Sequence, residues 1–187
     1  MRFRQTINKK AVIMVNLTDN EGHNIWSGPE NWYKIALADG SELGISYPGS
    51  EPYQIHAVPA GRGMVVRYQR FDGDDRLNQG WPIGDKGYFR CMQLSHDGKE
   101  ITLNMSLSGQ QATLSAQTGN KAFGMRAEQL GNNRVALYGI DANGRLCGLR
   151  VRSTPGNAPV DPHFGNYLMG LDCEFVKVST TLSKGGF

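Results

Sequence analysis

The sequence has 187 residues, of which 39% are hydrophobic and 20% charged, and its formal net charge is only +3. A chain of this length can bury one core without metals or disulfides, so we predict a single domain over residues 1–187. The basic residues are scattered singly and no run of about 18 apolar residues occurs, which gives no clear nucleic-acid signature and predicts no transmembrane segment.

The N-terminal stretch MRFRQTINKKAVIMVNL is basic, but its apolar part, AVIMV, is shorter than the core of a signal peptide. We therefore expect a cytoplasmic protein, or one released by a non-classical route. The sequence has an odd number of cysteines, and none of them is in a C-x-x-C motif: Cys91, Cys147 and Cys173. That pattern favours reduced thiols over a disulfide framework or a zinc site, and no motif predicts another metal or a cofactor.

Alternation of apolar and polar residues is the main pattern along the chain. In ITLNMSLS, residues 101–108, every second side chain is apolar, as in a strand with one face on a core and one in water. Weaker versions of this pattern predict strands at 11–18, 33–38, 63–71, 87–94, 112–116, 122–129, 134–140, 146–152 and 172–180.

Several predicted strands are joined by Asp-Gly or Asn-Gly turns, as in IALADGSEL and YGIDANGRL. These residues accept positive φ and close hairpins. We predict an all-β fold: a single antiparallel β-sandwich or distorted β-barrel built from meander hairpins. The segment STPGNAPVDPHFGN, residues 153–166, contains three prolines and is predicted to be a long loop.

Aromatic residues are concentrated in IWSGPENWY, residues 25–33, between two predicted strands. Rings on loops at the end of a β-fold can stack on a ligand or pack against a partner, whereas large rings also commonly close the end of a core. If Tyr33 begins a strand, Trp32 and Tyr33 point to opposite faces and one of them should be partly exposed. The predicted binding residues are Trp26, Trp32, Tyr33, Tyr53 and Trp81.

We interpret the chain as a non-catalytic binding or structural module that uses these aromatic loops to bind a glycan or a protein partner. A homo-oligomer, such as a subunit of a shell, fits the same pattern. Replacement of Trp26 separates binding from core packing, because a binding ring can be lost without a loss of stability.

A different interpretation starts from the order His56, Asp75, Cys147-Gly148. A thiol nucleophile needs a tight glycine-containing turn, an activating histidine and an orienting acid. The order, the length and the all-β pattern resemble the chymotrypsin-like main proteases of positive-strand RNA viruses. The resemblance implies a cysteine endopeptidase with Cys147 as nucleophile, His56 as base and Asp75 as orienting acid. The competing interpretation is that Cys147 is a small buried core residue.

The segments AVIMVNLTDNEG, PYQIHAVPAGRGMVV and GYFRCMQLSHDGKEITLNMSLS resemble actinoporin-type cytolysins and related fungal lectins. These families are β-sandwiches with exposed aromatic loops. The resemblance implies a membrane-binding or glycan-binding surface as a further alternative.

Overall fold

The computed structural model describes residues 15–45, 53–70, 78–94, 100–108, 111–115, 124–141, 143–151, 158–163 and 169–179. These residues form twelve strands and no helix: β1 (Trp32–Leu37), β2 (Glu42–Ile45), β3 (Tyr53–Val58), β4 (Val66–Arg70), β5 (Lys86–Leu94), β6 (Glu100–Ser108), β7 (Gln111–Ser115), β8 (Met125–Gln129), β9 (Val135–Ile140), β10 (Leu146–Val151), β11 (Ala158–His163) and β12 (Leu171–Val178).

Six of the strands close into an antiparallel barrel. β1 pairs with β4 and β12, β5 pairs with β4 and β8, and β9 pairs with β8 and β12. Following these pairs returns to β1, so the ring closes and each of its strands has a neighbour on both sides. Alternate residues of each barrel strand point inward, as Tyr33, Ile35 and Leu37 do in β1.

The other six strands form three hairpins, β2–β3, β6–β7 and β10–β11. β3 also pairs with β7 and with β11, which joins the three hairpins to one another. Each hairpin lies between two barrel strands in the chain, so the order barrel strand, hairpin, barrel strand occurs three times. The predicted all-β antiparallel fold is confirmed, in its barrel form.

Aspartates fix two of the turns that lead from a barrel strand into a hairpin. Asp39 accepts hydrogen bonds from the Ser41 hydroxyl and amide, and these bonds hold the pKa of its carboxyl below the ordinary value. Asp141 accepts bonds from the backbone of Arg145 and Asn143, which lowers its pKa in the same way. A third Asp-Gly pair, Asp97-Gly98, stands at the equivalent place between β5 and β6 in the sequence and lies outside the described residues.

The predicted loop at 153–166 is wrong over its middle, where Ala158–His163 forms β11. Pro159 and Pro162 lack the amide that a strand normally contributes to its ladder. The first two residues of β11 are in register with β3 and the last four with β10. Neither neighbouring strand therefore pairs with β11 along its whole length. For this reason a proline-rich sequence, which is typical of a loop, can form a strand here.

Four aromatic rings form the centre of the core inside the barrel. Trp81 is stacked on Tyr68, with ring centroids 4.5 Å apart and planes 9° apart. The same indole meets Phe89 and Phe175 edge to face, at 5.4 and 6.0 Å. All four side chains are fully buried. Offset and edge-to-face pairs of this kind add stability beyond simple burial.

The described residues hold no helix that could cross a membrane. Nor does the part of the chain with described side chains hold a cluster of three or more His, Cys, Asp or Glu groups placed for a metal ion. Cys91, Cys147 and Cys173 are free thiols and buried.

Candidate functional site at the barrel end

Residues 78–85, which we call the braced segment, lead into β5 and lie against residues 15–31. The side-chain amide nitrogen of Asn31 donates to the side-chain oxygen of Asn78 at 3.0 Å. Gln79 donates its amide to the Ser27 hydroxyl at 3.0 Å, and its carbonyl accepts the Ser27 amide at 2.8 Å. The start of the segment is therefore fixed by hydrogen bonds to both backbone and side chains.

Three backbone hydrogen bonds form a closed triangle under the braced segment. The Leu17 amide donates to the Trp81 carbonyl at 2.8 Å, and the Trp81 amide donates to the Ile25 carbonyl at 3.0 Å. The Ile25 amide completes the triangle by donating to the Leu17 carbonyl at 2.9 Å. All three side chains are fully buried. Because the triangle satisfies these groups internally, three connecting segments can cross and close the barrel end without water.

The predicted strand at 11–18 contributes to the same closure. Residues 11–14 lie outside the described part of the chain, while Asn16 and Thr18 form isolated bridges with Pro82 and Asn24. Ile83 donates its amide to the Val15 carbonyl at 2.9 Å. Beyond the triangle, the braced segment is thus paired along its second half as well.

Further hydrogen bonds hold residues 26–31, the loop on which the braced segment rests. The Tyr33 hydroxyl accepts the Trp26 amide at 2.9 Å, and burial raises the pKa of this phenol. Asn31 donates to the Ser27 carbonyl at 2.7 Å and accepts from the Lys177 ammonium at 3.1 Å. The barrel strands β1 and β12 therefore anchor the loop on which the braced segment rests.

Close approach at this point requires a glycine. Gly28 has a φ of 102°, and a Cβ built there would lie 2.1 Å from the Asn78 side-chain oxygen. Only glycine can adopt this positive φ and also leave room for the Asn78 side chain without strain. The Ser27-Gly28-Pro29 stretch is therefore a support for Asn78.

Three large apolar side chains are exposed around the braced segment. Trp26, which is bridged to Gly80, is 36% exposed, Val15 is 61% exposed and Ile83 is 40% exposed. An apolar rim beside a rigid segment is typical of a surface that meets a partner.

Of the four predicted binding rings whose side chains the structure describes, Trp26 alone is exposed. Trp26 lies on the rim, but Tyr33 and Trp81 are fully buried and Trp32 is 9% exposed. The predicted exposure of Trp32 or Tyr33 is wrong because Tyr33 fills the barrel, while Trp32 lies under the Arg67 guanidinium and donates to the Pro29 carbonyl. The Tyr53 side chain lies outside the described residues.

The predicted catalytic residues are not brought together. His56 of β3 is in register with Pro159 of β11, whereas Gly148, next to Cys147, is in register with His163 at the other end of β11. An intervening strand and four residues along it separate His56 from Cys147 by more than about 10 Å. Asp75 lies outside the described residues.

Cys147 also lacks the electrostatic surroundings of a nucleophile. Its side chain is 1% exposed, and burial, assisted by Asp141, raises the pKa of the thiol. A catalytic cysteine instead needs a thiolate at neutral pH. One closed barrel with three hairpins also differs from the chymotrypsin-like fold, which has two barrels, that the resemblance to viral main proteases implied.

We expect all three thiols to resist alkylation in the folded protein. Burial raises the pKa of Cys91 to about 12 and also raises the pKa of Cys147 and Cys173. Iodoacetamide labelling at pH 6 to 9, read by peptide mass spectrometry, should give slow modification of each thiol and rapid modification in denaturant. Rapid labelling of Cys147 alone near pH 6, abolished in His56→Ala, would contradict this assignment.

Comparison with known proteins identifies the fold. No family model matches the sequence, and no curated protein matches it. Among solved structures, winged bean albumin 1 has a TM-score of 0.64 and 14% identity, covering 87% of this chain and 99% of its own. The water-soluble chlorophyll protein of Brassica oleracea var. botrytis, with chlorophyll b, has a TM-score of 0.62, 16% identity and coverages of 88% and 99%.

Soybean trypsin inhibitor has a TM-score of 0.62 and 14% identity, covering 88% of this chain and 100% of its own. Near-complete coverage of both chains means that the likeness extends over the barrel and the hairpins together. Six barrel strands and three hairpins, arranged in three successive units, are the β-trefoil architecture. The chain therefore has the same β-trefoil fold as these solved structures.

Proposed function

We propose that the chain is a non-catalytic binding protein that holds another protein at its barrel end. The braced segment carries this proposal. A segment fixed before binding loses little conformational freedom on association, so more of the contact energy is available for affinity. Hydrogen bonds from Ser27 and Asn31, together with the closed triangle, supply that fixation.

The rim supports a protein in preference to a glycan. Trp26 is exposed beside two aliphatic side chains, Val15 and Ile83, and aromatic residues within an apolar rim are common anchors of protein interfaces. A platform of several rings for sugar stacking has no support here, because Tyr33 and Trp81 are buried.

The first partner to test is a serine protease with trypsin specificity. One structural neighbour is by name a trypsin inhibitor, and trypsin selects basic side chains through an aspartate in its specificity pocket. Arg76 is the one basic residue between Arg70 and Lys86 in the sequence, and it stands two residues before the anchored Asn78. Arg76 itself lies outside the described residues.

Titration of trypsin with the chain tests this proposal. We expect inhibition at submicromolar concentration, weakened at least about 100-fold in Arg76→Ala, since loss of a dominant interface residue costs several kcal/mol. Arg145→Ala, which removes the same charge from an exposed hairpin turn, is the matched control and should inhibit like the parent. Trp26→Ala should weaken inhibition by about tenfold.

Size-exclusion chromatography with light scattering completes the experiment. It reports the mass of the free chain, and hence any homo-oligomer, and the mass of its complex with trypsin. Absence of both inhibition and complex formation at micromolar concentrations would overturn the trypsin partner. An equal loss in Arg76→Ala and Arg145→Ala would show that overall charge, and not the segment before Asn78, decides the interaction.

A further inference from the structure

Lys177 lies at a core-facing position of β12, one residue before the end of the strand. Cys173 and Phe175 are fully buried and point into the barrel, and Lys177 is the next residue on the same face. Its register partner in β1 is Tyr33, which is also fully buried. A cation is uncommon at an inward position, so its presence at the barrel end indicates a polar partner there.

The ammonium of Lys177 reaches the loop that supports the braced segment. It donates to the side-chain oxygen of Asn31 at 3.1 Å, and this bond joins residues 146 positions apart in the sequence. The nitrogen of the same amide donates to the Ser27 carbonyl at 2.7 Å and to the Asn78 side-chain oxygen at 3.0 Å. One side-chain amide thus connects β12 to residues 26–31 and to the start of the braced segment.

These hydrogen bonds allow the Asn31 amide one orientation. An ammonium can only donate and a backbone carbonyl can only accept, so the amide oxygen must face Lys177 and the amide nitrogen must face Ser27. The second N–H of that nitrogen is then directed to Asn78. Reversing the amide would set its oxygen against the Ser27 carbonyl and its nitrogen against the ammonium. The charge on Lys177 therefore selects the orientation in which Asn31 anchors Asn78.

Burial of Asn31 makes the bond from Lys177 important. Asn31 is 7% exposed, and a buried polar atom that loses its hydrogen bond carries the full cost of desolvation. The donor is also charged, which makes this bond stronger than one between neutral groups. Without the ammonium, the amide oxygen is better satisfied by turning toward water. That rotation would break the hydrogen bond to Asn78.

We propose that Lys177 is a positioning residue for the barrel end: its charge fixes the Asn31 amide and, through it, the start of the braced segment. A segment that is held before binding loses less conformational freedom on association, so loosening it lowers affinity. The effect on affinity rests on the protein binding proposed above, whereas the effect on the segment does not. Because Lys177 is exposed, its charge can be removed without opening the core.

Hydrogen exchange followed by NMR tests the positioning role without any partner. The Gln79 amide donates to the Ser27 hydroxyl and the Ser27 amide donates to the Gln79 carbonyl, so both amides report opening between the braced segment and its support. Lys177→Met keeps the length of the side chain but removes its charge, and we expect both amides to exchange at least about tenfold faster. Lys177→Arg keeps a charged donor and should exchange within about twofold of the parent.

Lys34→Met is the matched control for Lys177→Met. The Lys34 ammonium donates to the Glu42 carboxylate at 3.1 Å, the same distance as in the bond from Lys177 to Asn31. This control removes the same charge, but from a link between β1 and β2, and exchange at the two reporter amides should stay within about twofold of the parent. Equal acceleration in both variants would overturn the specific role of Lys177.

Titration of trypsin tests the consequence for affinity. Lys177→Met should weaken inhibition about tenfold in the parent chain but have no further effect in Asn31→Ala, because a residue that acts through Asn31 has nothing to position once that amide is gone. Equal weakening in both backgrounds would overturn the positioning role, as would unchanged hydrogen exchange in Lys177→Met. A parent chain that fails to inhibit trypsin overturns the proposed partner, whereas the exchange rates still decide the role of Lys177.

Discussion

Replacing Trp81 by alanine is expected to lower the free energy of unfolding by about 3–5 kcal/mol. The indole is fully buried, stacks on Tyr68 and meets Phe89 and Phe175 edge to face, so its removal leaves a cavity at the centre of the core. It also loses the hydrogen bond from the indole nitrogen to the Asp85 carbonyl at 3.0 Å. Urea denaturation followed by far-UV circular dichroism measures the effect.

Trp26→Ala is the matched control for this change. The Trp26 ring is 36% exposed on the rim of the barrel end, and we expect a loss of about 1 kcal/mol or less. The same variant should weaken trypsin inhibition by about tenfold, so the two tryptophans separate stability from function. Comparable losses of stability in Trp26→Ala and Trp81→Ala would mean that Trp26 belongs to the core.

Gly87→Ala is expected to destabilise the protein by about 1–3 kcal/mol, through overpacking of the barrel interior. A Cβ at Gly87 would lie 2.3 Å from a ring carbon of Tyr68 and 3.2 Å from the backbone oxygen of Gln69. Tyr68 cannot move aside easily, because it is fully buried and stacked on Trp81. Thermal and urea denaturation measure the loss.

Gly131→Ala provides the comparison, since it adds the same methyl group where no described atom lies within 4 Å. We expect a change within about 0.5 kcal/mol. A neutral Gly87→Ala variant would show that the ring of Tyr68 has room to shift. The packing of Tyr68 against Trp81 would then be looser than the distances indicate.

The strands that the sequence predicts well are those in which apolar and polar residues alternate. ITLNMSLS alternates over its whole length and lies within β6. β3 is harder to recognise, because Ile55 and His56 are both buried although they are neighbours in the strand, and Gln54 alone among its described side chains is exposed. A strand paired on both sides and covered on both faces loses the period of two that sequence analysis depends on.

The candidate site was only partly predictable for a different reason. Turn residues in SGPEN indicate a loop, and Trp26 in that loop is exposed. The bond between Asn31 and Asn78 joins residues 47 positions apart, however, and no local pattern signals such a contact. The burial of Trp81 likewise depends on its segment crossing the barrel end.

The case of His56, Asp75 and Cys147 shows that the order of residues in a sequence is weak evidence for a catalytic site. Residues that follow one another in a plausible catalytic sequence can lie on strands that are not neighbours, as β3 and β10 are separated here by β11. Distance in a sheet is set by strand order, which this fold permutes relative to the chain. A catalytic hypothesis of this kind therefore needs the sheet topology before it can be weighed.

Closure of the barrel depends on the last described strand, because β12 fills the gap between β1 and β9. A chain emerging from the ribosome therefore lacks one wall of its barrel until β12 has been synthesised. Pairing of β1 with β12 joins residues far apart in sequence, and non-local pairing of this kind slows folding. During that interval β1 and β9 would each expose an unpaired edge. These edges therefore need protection from aggregation while the chain is being synthesised.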